Sequence, residues 1–176
     1  MKITYMSFEN ISLEIITEND KLKGINFVES CKETTKDDNF QKEIKKELME
    51  YFEGKRKVFE IPLEVEGTEF QKKVWTEMAK IPFGERMSYG ELAEKSCCPK
   101  GARAVGLACN KNKIPIIIPC HRVVGKNGNL TGWCSNIILG SSNPTKQDWD
   151  LIETIIKSGK EYEELRKEYE ELRKEY

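Results

Sequence analysis

The sequence contains a single histidine, no C-x-x-C pair and no apolar run long enough to span a membrane. Its densest apolar stretch, residues 114–118, is far shorter than the roughly 18 residues that a membrane helix requires. The first residues show neither the apolar segment nor the small-residue cleavage site of a secretion signal. We therefore expect a cytoplasmic protein without a membrane-spanning segment.

The cysteines do not form the pattern of a disulfide framework or a metal site. They are Cys31, Cys97, Cys98, Cys109, Cys120 and Cys134. Their spacings match no zinc template, and two adjacent cysteines suit a disulfide framework poorly. Reduced thiols in a reducing compartment fit best, and we expect neither a metal nor a cofactor.

The net charge of −1 conceals a basic region. Residues 68–133 carry eleven Lys and Arg side chains against five Glu side chains, so the remainder of the chain is acidic. A basic segment on an otherwise acidic chain is typical of proteins that bind a polyanion such as DNA. Charge alone is equally compatible with a basic face that contacts only solvent and binds no polyanion.

Hydrophobic periodicity predicts a small α+β domain in the first third of the chain. Runs rich in β-branched residues at 11–16 and 22–28 flank a turn at 18–20, which predicts two strands. Apolar residues recur at helical spacing over 39–52, and 58–63 returns to the strand pattern. This domain shows no catalytic constellation of its own.

Short helices follow from Thr68 onward. One ends before Pro82, and a second is capped by Ser88 with Glu91 at the capping-box spacing. A third, predicted over 100–111, is rich in glycine and alanine, so we expect either another helix or a DNA groove to come close to it. Short helices on a basic background indicate a helix-turn-helix.

A charged tail ends the chain. The heptad EYEELRK at 161–167 recurs at 168–174, with the spacing of a coiled-coil seam. Two heptads are few, so we favour a solvated helix on a monomer, with weak self-association through the heptads as the alternative. The predicted division is 1–66, 67–158 and the tail at 159–176.

The single histidine directly follows a cysteine, as Cys120-His121. A thiol is a poor nucleophile near neutral pH unless a base takes its proton or basic surroundings favour the thiolate. Taken alone, the pair is also compatible with a buried, inert cysteine. The motifs around it are what favour catalysis.

Five short motifs occur in order. They are Pro-Phe-Gly-Glu at 82–85, Ser-Tyr-Gly-Glu-Leu-Ala at 88–93, Arg-Ala-Val-Gly at 103–106, Asn112, and Ile-Pro-Cys-His-Arg-Val-Val at 118–124. Together they resemble the O6-alkylguanine-DNA alkyltransferases (methylated-DNA–protein-cysteine methyltransferases) over about 52–133. The resemblance implies an α+β protein, with an RNase H-like α/β domain followed by a helix-turn-helix, winged-helix-like alkyltransferase domain.

The resemblance also implies an activity. The alkyl group of O6-alkylguanine, and of O4-alkylthymine, would pass from flipped nucleotides of double-stranded DNA to Cys120 in one irreversible step. His121 would take the thiol proton through a water, and Asn112 would hold the active-site turn. Tyr89 would protonate the departing guanine and help to rotate the nucleotide out.

Further residues match the family's DNA-binding and pocket positions. Arg103 would enter the duplex and fill the gap left by the extruded base, with its small-residue helix in the minor groove. Weaker matches to DNA-contacting positions are Gln71, Gly90, Cys98, Ala102 and Lys126. The substrate pocket would include Trp133, Ser135 and Val123.

The chain departs from the family pattern after Gly132, where the loop at 133–145 reads as altered and longer. Glu153, seven residues after Lys146, is the candidate carboxylate that orients His121. Two alternatives stay open: a non-catalytic alkyltransferase-like protein, which Cys120 argues against, and an engineered self-labelling variant, suggested by the terminal repeat. A cysteine hydrolase lacks support because the only histidine is adjacent to the cysteine.

Overall fold

A computed structural model describes residues 1–8 and 11–125. In this part of the chain, an antiparallel sheet and one helix precede three helices and a two-stranded parallel sheet. The expected α+β class is confirmed, with a small sheet domain followed by a helical domain.

The sheet contains β1 (Lys2–Phe8), β2 (Ile11–Glu18) and β3 (Lys21–Val28) in that spatial order. Alternate residues of β2 are buried, as expected for a sheet with one face on the core. Asn19 and Asp20 have φ of 50° and 54°. Positive φ at both positions gives the tight turn that matches the twist of a β-hairpin.

Two elements of the sheet domain differ from the prediction. Strand β1 was not predicted, because its buried face carries Thr4 while Ile3 is 43% exposed, so polarity does not alternate as in β2. Residues 58–63, predicted as a strand, form only one bridge, from Leu63 to Leu22. Pro62 has no amide hydrogen and cannot donate to a ladder there.

Helix α1 (Asn39–Phe52) has the predicted bounds. Asp38 and Gln41 form a capping box at its start, which satisfies two backbone N–H groups. Its buried face carries Ile44, Leu48 and Tyr51, each with no exposed surface. This face belongs to the hydrophobic core that the sheet and the helical domain share.

The helical domain contains α2 (Glu69–Ala79), α3 (Tyr89–Lys95) and α4 (Ala102–Asn110). Ser88 caps α3 through the predicted capping box. Helix α4 begins later than predicted because Lys100 has a φ of 67°, which is not helical. Helices α3 and α4 and their connection form the expected helix-turn-helix.

Two contacts fix the position of α4. The indole Nε1 of Trp75 on α2 donates a buried hydrogen bond of 2.9 Å to the carbonyl oxygen of Ala108. On α3, the ring of Tyr89 lies close to Gly106, where an added Cβ would be 3.8 Å from Cε1. Helix packing therefore accounts for part of the small-residue pattern in α4.

The sheet domain supports the segment that follows α4. The amide of Ile25 on the outer edge of β3 donates to the carbonyl oxygen of Lys113 at 2.9 Å. The same strand exchanges backbone hydrogen bonds with Pro62 and Glu64 through Leu22. The edge of β3 is thus covered rather than left open, and it anchors the chain seven residues before Cys120.

The close packing of Gly101, immediately before α4, against Cys98 predicts a loss of stability when this glycine is replaced by alanine. An added Cβ would lie 2.3 Å from Sγ and 2.8 Å from the carbonyl oxygen of Cys98, and a backbone carbonyl cannot move aside as a side chain can. We expect Gly101→Ala to lower the free energy of unfolding in urea by about 1–3 kcal/mol.

The matched control is Gly106→Ala, whose Cβ would make only an ordinary contact at 3.8 Å. Alanine is the better helix former, so this variant should gain up to about 1 kcal/mol. Equal stability of the two variants would contradict the close approach at Gly101.

Candidate active site

A single buried side chain holds the turn that precedes Cys120. Asn112 accepts a hydrogen bond from the amide of Ile114 and donates one to the carbonyl oxygen of Ile118, each at 3.0 Å. The amide of Ile118 also donates to Ile114 at 3.0 Å. At the centre of this turn, Ile116 has a φ of 75°, which is strained for a β-branched residue.

Cys120 and His121 lie in the 3₁₀ turn Cys120–Arg122 that follows. The amide of Cys120 donates to Ile118 at 2.8 Å, so the thiol-bearing residue is tied to the carbonyl that Asn112 also holds. Cys120 and His121 are 1% and 3% exposed, and Nε2 of His121 is buried. The turn therefore holds a buried thiol and a buried imidazole on adjacent backbone positions.

Arg122 fixes the far side of the turn. Its Nη1 donates a buried hydrogen bond of 2.9 Å to the carbonyl oxygen of Ile81. The guanidinium lies 5.6 Å from the ring centroid of Phe83, and Nζ of Lys57 lies 5.7 Å from the same centroid. Tyr51 of the sheet domain meets Phe83 edge to face at 6.1 Å. The sequence signal for Arg122 was its place in the Cys-His-Arg-Val motif, but no role was predicted.

A second thiol, Cys109, is buried near the first. Burial, and then the nearby Cys120, raise the pKa of the Cys109 thiol well above its ordinary value. Its Sγ lies 3.8 Å from Sδ of Met78, an apolar contact within the core. Cys109 is accordingly a structural thiol, because the thiolate and not the thiol is the nucleophile.

The parallel pairing of β4 (Met87–Ser88) with β5 (Val123–Val124) joins the helix-turn-helix to the turn. It brings Tyr89, the first residue of α3, beside the strand that leaves Arg122. The hydroxyl of Tyr89 is shielded from solvent while the residue as a whole is half-buried. Val123 is fully buried in β5.

The predicted DNA-contacting residues are distributed over the helical domain. Arg103 and Gly90 are exposed, whereas Ala102, Cys98 and Gln71 are half-buried. Gln71 uses its Oε1 to accept from the amide of Thr68 in the capping box of α2. Lys126, Trp133, Ser135 and Glu153, together with the 133–145 loop and the tail, lie outside the described residues.

Residues 1–8 and 11–125 contain neither a candidate metal site nor a candidate membrane span. No group of three His, Cys, Asp or Glu side chains there could hold a metal ion. No helix of this part is long and apolar enough to cross a membrane.

Two family models cover most of the chain. The model described as "6-O-methylguanine DNA methyltransferase, ribonuclease-like domain" matches residues 1–65, and that described as "6-O-methylguanine DNA methyltransferase, DNA binding domain" matches residues 69–151. The chain belongs to the O6-methylguanine-DNA methyltransferase family.

Individual relatives agree with this assignment. A methylated-DNA–protein-cysteine methyltransferase of Methanosarcina acetivorans is 43% identical over 141 residues, which are 76% of this chain and 90% of the relative. The crystal structure of the Mycobacterium tuberculosis O6-methylguanine methyltransferase is 32% identical, with a TM-score of 0.70, and covers 90% of this chain and 95% of that one. The M. tuberculosis OGT in complex with DNA is 38% identical, with a TM-score of 0.66 over 73% and 81% of the two chains.

The difference between the thiols generates a labelling prediction. Iodoacetamide at about pH 8 should modify the exposed Cys31 and Cys97 in the native protein and leave Cys109 unmodified. Because burial raises the pKa of Cys109, labelling of this residue should begin only at a pH above the usual thiol range. Peptide mapping by mass spectrometry measures each site, and modification of Cys109 as fast as of Cys31 would contradict the assignment.

Proposed function

We propose that Cys120 accepts the alkyl group of O6-alkylguanine in double-stranded DNA, and of O4-alkylthymine, in one irreversible step. DNA repair by alkyl transfer to a protein cysteine is the activity of this family. The relative from M. acetivorans is named a methylated-DNA–protein-cysteine methyltransferase. The observation that carries the residue assignment is the buried Cys120-His121 pair on a turn held by Asn112. The reaction needs a reduced thiol, which fits a cytoplasmic setting.

The proposed chemistry is a single displacement. The Sγ–carbon bond of Cys120 forms while the carbon–oxygen bond to the base breaks, and the electron pair leaves with the base. The thiol proton passes to His121 through a water, since side chains of adjacent residues diverge. Tyr89 donates a proton to a ring nitrogen of the departing guanine, and the proton taken up by His121 then returns through solvent to the Tyr89 phenolate. The net reaction converts thiol and alkylguanine into thioether and guanine. The thioether is stable, so each chain acts once.

The helix-turn-helix would present the nucleotide to this turn. A base in the duplex stack cannot reach a buried thiol, so the nucleotide must rotate out. Arg103, exposed in the first turn of α4, fills the vacated position, and the small residues beside it let α4 approach the minor groove. The relative solved with DNA supports DNA as the partner. Further proposed DNA contacts are Gln71, Gly90, Cys98, Ala102 and Lys126, and the proposed pocket residues are Val123, Trp133 and Ser135.

The residue assignment is tested by intact mass after incubation with an O6-methylguanine duplex. We expect the mass of one methyl group on the chain, located on Cys120. Cys120→Ala should lose transfer and retain DNA binding, and Cys109→Ala is the matched control that should retain transfer. An unchanged mass, or a methyl group on Cys109, would contradict the proposal.

Arg103 generates a prediction that separates extrusion from chemistry. Arg103→Ala should slow transfer from a duplex by ~10–100-fold, because part of the unstacking cost of a few kcal/mol is no longer offset. Transfer from free O6-benzylguanine should be nearly unchanged, since no base needs to be extruded. Lys111→Ala removes an exposed cation from the other end of α4 and controls for charge. Equal losses on both substrates would rule out the gap-filling role.

Glu153 is proposed as the carboxylate that orients His121, on sequence spacing alone. Loss of an orienting partner usually lowers activity by about 10–100-fold. We expect Glu153→Gln to slow labelling of Cys120 by that factor and to shift the dependence of the rate on pH. A variant with the parental rate and pH profile would exclude Glu153 from the network.

A further inference from the structure

In the described part of the helical domain, one large apolar side chain is exposed to solvent and packs on no core. Leu107 on α4 is 62% exposed. The other large apolar side chains exposed in the described part of the chain are Met1, Ile3 and Val58, which lie before the helical domain. Leu107 is thus a feature of the helix-turn-helix surface.

Leu107 shares a helix face with Arg103. The two residues are four positions apart, which is one helical turn and a rise of about 6 Å. Asn110, three positions further on, continues the same exposed face. Val105 and Ala108 carry the opposite face, with 0% and 2% exposure. Leu107 is therefore directed away from the core, and the proposed alkyl transfer does not use it.

The surroundings of Leu107 favour a polyanion as the occupant of this face. Lys100, Arg103 and Lys111 flank it and are exposed. No Asp or Glu occurs in the sequence between Lys95 and Gln147. A lone leucine is also small for a protein interface, which needs a contiguous apolar patch of several hundred Å². A leucine among cations suits the minor groove, whose sugars and base edges accept apolar side chains between phosphate contacts.

We propose that Leu107 is an apolar contact of α4 with the minor groove of duplex DNA, one turn from Arg103. The inference rests on the proposed function only in taking DNA as the ligand. An apolar contact releases no counterions, so its contribution to affinity should be the same factor at every salt concentration. A phosphate contact would instead change the slope of log K against log salt.

The experiment measures binding of an unmodified duplex by fluorescence anisotropy over a series of salt concentrations. Leu107→Ala should raise Kd by about 5–10-fold with an unchanged salt slope. Leu107→Met, which keeps an apolar side chain of similar size, should restore binding to within about twofold. Val58→Ala is the matched control, because Val58 is 70% exposed outside the helical domain, and its Kd should equal that of the parent.

Three results would overturn the proposal. One is a Kd of Leu107→Ala within twofold of the parent. Another is an equal loss of reaction with free O6-benzylguanine, which would mean that the variant is damaged as a whole. The third is a change in self-association with DNA affinity retained, which would assign Leu107 to a protein interface. Failure of the proposed function is distinguishable, since the parent would then bind duplex through Leu107 but gain no methyl group.

Discussion

The two hydrogen bonds of the Asn112 side chain are the constraint on which the site depends. They connect Ile114 with Ile118 across a turn whose central residue, Ile116, has a left-handed backbone. Such a conformation costs about 1–2 kcal/mol in an L-residue, and two buried hydrogen bonds of about 0.5–1.5 kcal/mol each offset it together with packing. The next backbone bond, from Cys120 to Ile118, transmits that geometry to the thiol. The position of Cys120 is thus set by the backbone and by one buried amide side chain that makes two hydrogen bonds.

The sheet domain contributes support rather than chemistry. Its edge strand binds Lys113 through Ile25, just before the turn. Just after the turn, the guanidinium of Arg122 lies over the ring of Phe83, which Tyr51 of α1 contacts edge to face. The segment that carries Cys120 is therefore connected to the first domain directly at Lys113 and, through Phe83, at Arg122. This division leaves the exposed surface of the helix-turn-helix for DNA.

Local signals in the sequence predicted most of the helices, and they singled out the two residues that are proposed to carry the chemistry. The bounds of α1 and the cap of α3 follow from capping residues and apolar spacing, which act over a few positions. The Cys120-His121 pair and Asn112 were identifiable from their motifs. The contact that brings Tyr89 beside this pair was not identifiable, because the parallel pairing of β4 with β5 is only two residues long on each side. Likewise, no pattern in the sequence connects Arg122 with Ile81 or with Phe83, since these contacts form only once the chain has folded.

The central claim is that one buried cysteine, fixed by its turn, accepts one alkyl group and cannot be regenerated. Titration of a fixed amount of protein with an increasing excess of O6-methylguanine duplex tests it most directly. Repaired DNA should reach a plateau at one lesion per chain, with all of the methyl group recovered on the peptide that contains Cys120. Repair that continues beyond one lesion per chain, or a plateau with the methyl group on another residue, would contradict the account.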